Sequence, residues 1–132
     1  MANIAAYAEK AMLDWCLGGA AATQPTSRFL ALGLGAPTSV SASEIGTGSG
    51  YTRQTAIFGA ASSPAGSASL ATAVTFGPFL TAQSITGLVL FDTQGSSNTG
   101  NMLWYGTLTT ARTVASGDQL VIAVGSLVIT LA

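Results

Sequence analysis

Residues able to do chemistry are scarce in this chain, and their types decide most of what it can do. Among 132 residues there are four Lys+Arg, five Asp+Glu, one Cys and no His. Without His, the Ser-His and Cys-His nucleophile pairs are ruled out, as are metal sites built on imidazole. Ser-Lys catalysis would need Lys10, which sits in a helical stretch without a Ser-x-x-Lys pattern. The carboxylates Glu9, Asp14, Glu44, Asp92 and Asp118 are dispersed, so their spacing shows no acid–base pair. The string Gly46-Thr-Gly-Ser-Gly50 suggests a phosphate loop until its continuation is read. No Gly-Lys-Ser/Thr follows and no helix opens after it, which leaves a turn. No catalytic, cofactor-binding or metal-ligating residue emerges, no cofactor is implied, and the reading is of a protein that is not an enzyme.

Binding chemistry is a second question. Trp104-Tyr105, within Met102-Leu-Trp-Tyr-Gly-Thr-Leu108, resembles a sugar-stacking platform, and Tyr51 would add a third ring. Adjacent strand residues point to opposite faces, so one of the pair faces the core. Core packing or a subunit contact is the simpler reading, and a carbohydrate-binding module for host recognition is the alternative.

Composition bears on partners. Hydrophobic residues make up 48% of the chain and charged residues 7%, against roughly 25% charged in an ordinary soluble domain. Lone soluble proteins use mixed surface charge to resist self-association. A surface of Ser, Thr, Gly, Ala, Asn and Gln suits a subunit docked against copies of itself. The net charge is −1, and Lys10, Arg28, Arg53 and Arg112 lie too far apart to form a phosphate-binding stripe. Neither nucleic acid nor a membrane is expected as a partner. Glu9, Lys10 and Asp14 interrupt any signal-peptide core near the start. The uncharged run 119–132 is shorter than the roughly 18 residues a spanning helix needs. Cys16, the single cysteine, excludes an intrachain disulfide and reads as a small apolar residue on the buried side of a helix.

These residues must be positioned by a few elements. Residues 3–17 predict one helix, with Asn3 as N-cap, an apolar face of Ile4, Ala8, Ala11, Met12 and Trp15, and Gly18-Gly19 at its end. From Arg28 onward the period becomes two. Strands are predicted at 28–34, 52–58, 70–76, 85–91, 102–108, 119–124 and 126–131, each bounded by turn residues. Gly87, Gly106 and Gly125 would mark bulges, bends or close backbone approach. Asp92 and Asp118 read as turn residues bonding backbone amides. Segments 38–50, 60–69 and 93–101 read as loops. The fold class is therefore all-β: an antiparallel, jelly-roll-like β-sandwich with one N-terminal α-helix. It forms a single domain, with residues 1–19 as the helix packing on the sandwich or a neighbouring subunit and 20–132 as the sandwich.

The last strands are apolar on both faces. Leu120, Ile122 and Val124 alternate with Val121 and Ala123, and Leu127, Ile129 and Leu131 flank Val128. An antiparallel sheet ordinarily wets one face. The second face is expected to be covered by neighbouring subunits, with Trp15, Trp104, Tyr105, Leu127 and Val128 as the contacts of a dimer or trimer.

Several strings, in order, resemble a family of small virion proteins of tailed bacteriophages, commonly labelled tail-fibre-like. They are Phe29-Leu-Ala-Leu-Gly-Leu34, Gly50-Tyr-Thr-Arg-Gln-Thr55, Thr86-Gly-Leu-Val-Leu-Phe-Asp92, Asn101-Met-Leu-Trp-Tyr-Gly-Thr-Leu108, Val114-Ala-Ser-Gly-Asp118 and Gly125-Ser-Leu-Val-Ile-Thr-Leu131. Where that family often carries an acidic loop after its first strand, this chain has Leu34-Gly-Ala-Pro-Thr-Ser. The resemblance implies a structural protein on the exterior of the capsid or tail, made in the host cytoplasm. Its length, without repeat or shaft, favours a capsid decoration (cement) protein seated on the major capsid protein. A tail or tail-fibre component is the alternative, with a host glycan as its further partner. Arg53 in Gly-Tyr-x-Arg-Gln is expected to pair with a carboxylate or carbonyls, Asp92 being the candidate.

Overall fold

The computed structural model describes residues 2–63, 66–96 and 99–130. Its frame is an antiparallel five-stranded sheet in the order β1-β7-β6-β2-β3. The strands are β1 (Ala2–Ile4), β2 (Phe29–Gly33), β3 (Gln54–Thr55), β6 (Gln83–Phe91) and β7 (Met102–Val114). Two ribbons make the second layer: β4 (Ser67–Ser69) with β9 (Val128–Thr130), and β5 (Val74–Phe76) with β8 (Leu120–Ile122). Helix α1 (Ala6–Leu17) lies against β7. The architecture is an all-β sandwich with one N-terminal helix, as the period-two segments imply.

Cross-strand pairs build the sheet. Leu30 faces Leu90, which faces Trp104, which faces Ile4, so these four side chains share one face. Leu32 and Leu88 extend the row. The ribbons close over this face, with Leu120, Ile122, Leu127 and Ile129 packed against the core. On the other face, Gly33 sits opposite Gly87, and the 34–50 loop is pressed onto that glycine pair. A Cβ on Gly33 would lie 2.6 Å from the Ala42 carbonyl oxygen, and one on Gly87 would lie 2.7 Å from Pro37 Cδ. The sheet register also shifts between Ile85 and Gly87. Gly87 thus serves both as bulge and as close approach, and the expectation for it holds.

The helix differs from the sequence reading. Asn3 is not a cap: it belongs to β1 and pairs with Tyr105, while Ile4 pairs with Trp104. The N-cap is Ala5, in extended conformation and without a side-chain cap bond. Pairing with β7, a partner a hundred residues away, takes these residues out of the helix that local spacing assigned them. The helix ends as expected on Gly18, left-handed at φ 71°, whose N–H returns to the Asp14 carbonyl. Cys16 is exposed, not buried, because it falls on the flank of the helix where nothing packs.

Smaller departures follow the same logic. The segment 52–58 forms only the two-residue β3, with Ile57 exposed. Strand β4 arises inside the segment read as a loop, since Ser67-Ala-Ser has no apolar pattern. Strand β7 runs on through Val114, well past Leu108. The expected strand 126–131 is realised as Val128–Thr130; Leu131, like Ser97 and Asn98 of the 93–101 loop, lies outside the described residues. The Gly46–Gly50 string forms a turn, a single turn of 3-10 helix over Thr47–Ser49.

Candidate assembly interface

Six of the nine charged residues are held in structural contacts. Arg53 and Glu44 form a fully buried, two-pronged ion pair: Nε donates to Oε1 at 2.8 Å and NH2 to Oε2 at 2.7 Å. NH1 donates to the carbonyls of Thr93 and Thr99 at 3.0 and 2.9 Å, and the guanidinium lies 3.6 Å over the Phe91 ring. Tyr51 donates to Glu44 Oε1 and accepts the Leu32 N–H. Burial, foremost, pushes the Tyr51 phenol far above its ordinary range, so it stays protonated and able to donate. The expected carboxylate and carbonyl partners of Arg53 are present, but the carboxylate is Glu44, not Asp92. Asp92 instead accepts from the Asn101 backbone and side chain at 2.9 and 2.8 Å, pinning the base of the loop between β6 and β7. Asp118 accepts the Ala115 N–H in a turn, and Asp14 pairs with Lys10 one helical turn away. Among the described residues, no group of three or more His, Cys, Asp or Glu is placed to hold a metal, and no helix is long and apolar enough to cross a membrane.

What the molecule leaves open is apolar. A groove of about 590 Å³ runs between the Leu88–Leu90–Trp104 face of the sheet and the β8–β9 strands. A second, of about 500 Å³, lies between α1, the 22–25 segment and Trp104. Leu90 and Trp104 line both.

All five residues expected at a contact line these grooves. Trp15 lies in the second at 75% exposure. Trp104, Tyr105 and Leu127 are half-buried in the first, with Leu127 turned toward the core. Val128 is at its rim, 49% exposed. The ring set proposed for sugar stacking is not assembled: Tyr51 is 1% exposed and held in the ion-pair network.

Sequence reasoning missed the outward side of the helix. Leu13 and Leu17, one turn apart, are 60% and 79% exposed, and Tyr7 is exposed as well. Their spacing was legible; a helix with apolar residues on every side is a buried helix. Outward-facing Val121, Val124 and Val128 repeat the pattern on the second layer.

The chain is a small β-sandwich with an exposed apolar surface. The chain matches, over residues 3–130, the family described as Podophage GP4 fiber I protein gp80, and it belongs to that family. It is thus a member of a family of phage fibre proteins, structural parts of the virion, as the tail-fibre-like strings imply. No curated protein sequence matches it.

Proposed function

We propose that the chain is a non-enzymatic, homo-oligomeric subunit of a phage fibre, attached to the exterior of the particle's tail region. The observation that carries the assembly is α1, which has apolar side chains on all sides yet lies bare over most of its surface. Tyr7, Leu13, Trp15 and Leu17 in water forfeit hydrophobic free energy that burial against another copy would recover, at about 25 cal/mol per Å² of apolar area. A lone soluble domain rarely leaves so many large apolar side chains of one helix exposed. Neighbouring virion proteins are the remaining partners, and residues 93–95 and 99–101, exposed and held at their base by Arg53 and Asp92, offer them a polar contact.

Attachment at the tail, and not as decoration over the capsid shell, is supported by the description of its family as a fibre protein. Copy number separates the two. Quantitative gels of purified particles are expected to show a small number of copies per particle; hundreds would indicate a cement protein.

A further inference from the structure

The 34–50 loop is clasped at two places, one beside each surface that the molecule turns outward. Toward the loop joining β6 and β7, its Glu44 takes two bonds from Arg53, whose NH1 donates in turn to the Thr93 and Thr99 carbonyls of that loop. Toward α1, its Ser39 carbonyl accepts the N–H of Ala6, the first residue of the helix, at 3.1 Å. Between these clasps it lies on bare backbone, with Pro37 against Gly87 and the Ala42 carbonyl against Gly33. The Thr38–Ser41 turn stiffens it. Thr38 N–H donates to the Ser41 carbonyl at 2.8 Å, and Ser41 N–H donates back to Thr38 Oγ1 at 3.1 Å.

One residue of this stretch is strained. Ser43, next to Glu44, sits at φ 48°, in the left-handed region. Serine seldom adopts that region, and keeps it only where surrounding contacts enforce it. Here the Ser43 carbonyl is held by the Leu34 N–H, the Ile45 N–H is held by the Leu32 carbonyl, and the ion pair fixes Glu44 between them. The closed loop therefore stores strain that release at Glu44 would relax, which favours two discrete arrangements over a continuous range.

We propose that the 34–50 loop is a sprung strap coupling the β6–β7 loop to the start of α1, with Arg53 as its catch. Freeing the β6–β7 loop withdraws two carbonyls from Arg53, loosens its hold on Glu44 and lets Ser43 relax. The stiff Thr38–Ser41 turn then carries the shift to Ser39 and away from Ala6. The reverse follows by linkage: a neighbour that immobilises the β6–β7 loop seats α1 more firmly. This coupling is internal to one copy and stands apart from the homo-oligomeric reading.

Hydrogen exchange followed amide by amide by NMR tests it, because each rate reports the opening that exposes that N–H. Asp92→Ala removes the acceptor of Asn101 and unpins the base of the β6–β7 loop. Exchange of the Ala6 N–H is expected to rise at least about fivefold relative to the β6 amides. That increment should vanish when Arg53→Met is already present. Ser43→Gly, which leaves both clasps in place, is expected to slow Ala6 exchange in the otherwise wild-type chain. Faster exchange at Thr99 and Asn101 with Ala6 unchanged would overturn the coupling. So would an Ala6 rate that rises only in step with β6, or an Asp92→Ala increment that persists without Arg53. An unchanged or faster Ala6 rate in Ser43→Gly would overturn the stored strain. A monomeric chain with the expected rates would keep the strap and overturn only the homo-oligomer.

Discussion

Replacing Arg53 by Met tests whether the buried ion pair organises the fold. The substitution keeps most of the aliphatic volume but removes the guanidinium from a site where both partners are wholly inaccessible. Glu44 is left as a buried carboxylate, retaining the Tyr51 hydroxyl among its donors. The carbonyls of Thr93 and Thr99 lose their shared donor, and the contact with Phe91 is lost. Removing one member of a buried pair costs about 3–5 kcal/mol, because the other charge stays desolvated. Domains of this class are stable by roughly 5–15 kcal/mol in total, so the loss is a large share. At about 3–5 °C per kcal/mol for a chain of this length, the melting temperature is expected to fall by about 10–20 °C. Adding Glu44→Gln to Arg53→Met removes the stranded charge while keeping an acceptor for Tyr51, and is expected to recover about 2 kcal/mol. The assay is urea unfolding followed by Trp15 and Trp104 fluorescence at fixed protein concentration. A loss below about 1 kcal/mol for Arg53→Met, or a double variant no better than the single, would refute the reasoning.

Three further outcomes follow from the same geometry. The Tyr51 phenol is raised above its ordinary value of 10.0 in the folded state, so its contribution is complete below pH 10 and is lost as pH rises beyond it. Stability is expected to decline by up to about 1.4 kcal/mol per pH unit above 10, and Tyr51→Phe should flatten that slope in urea titrations. Gly33→Ala drives a methyl to within 2.6 Å of a backbone oxygen and Gly87→Ala to within 2.7 Å of Pro37; each is expected to cost about 1–3 kcal/mol, read from chemical unfolding. Val128→Lys places charge at the rim of the sheet-side groove on a side chain already 49% exposed. It should leave the circular dichroism spectrum unchanged while shifting sedimentation toward smaller species.

Much of this fold is legible in the residues themselves. Alternation in Phe29–Gly33 and Gln83–Phe91 marks the central strands, Gly18 marks the helix end, and Asp92 and Asp118 behave as their turn contexts require. Local spacing fails where a distant partner decides. Asn3 has good capping chemistry, but hydrogen bonding to Tyr105 in the β7 ladder claims it for a strand. Ser67–Ser69 becomes a strand only because β9 passes beside it. Arg53 announces a buried partner without saying which, since Glu44 and Asp92 look equivalent until the 34–50 loop folds back onto the edge of β2, where the Ile45 N–H meets the Leu32 carbonyl. The exposed apolar surface was half visible: Trp15 and Val128 stand out as large apolar residues in an almost uncharged chain, whereas the bare Leu13–Leu17 side appears only once α1 is seen to bury Ala8 as its one fully buried residue.

The central claim is that this chain is an assembled structural subunit of the virion, placed at the fibre. Gold-labelled antibody against the purified protein, applied to intact particles and viewed by electron microscopy, tests it directly. Label confined to the tail region is the expected result. Label spread evenly over the capsid shell, or particles with no label and none of the chain by mass spectrometry, would contradict it.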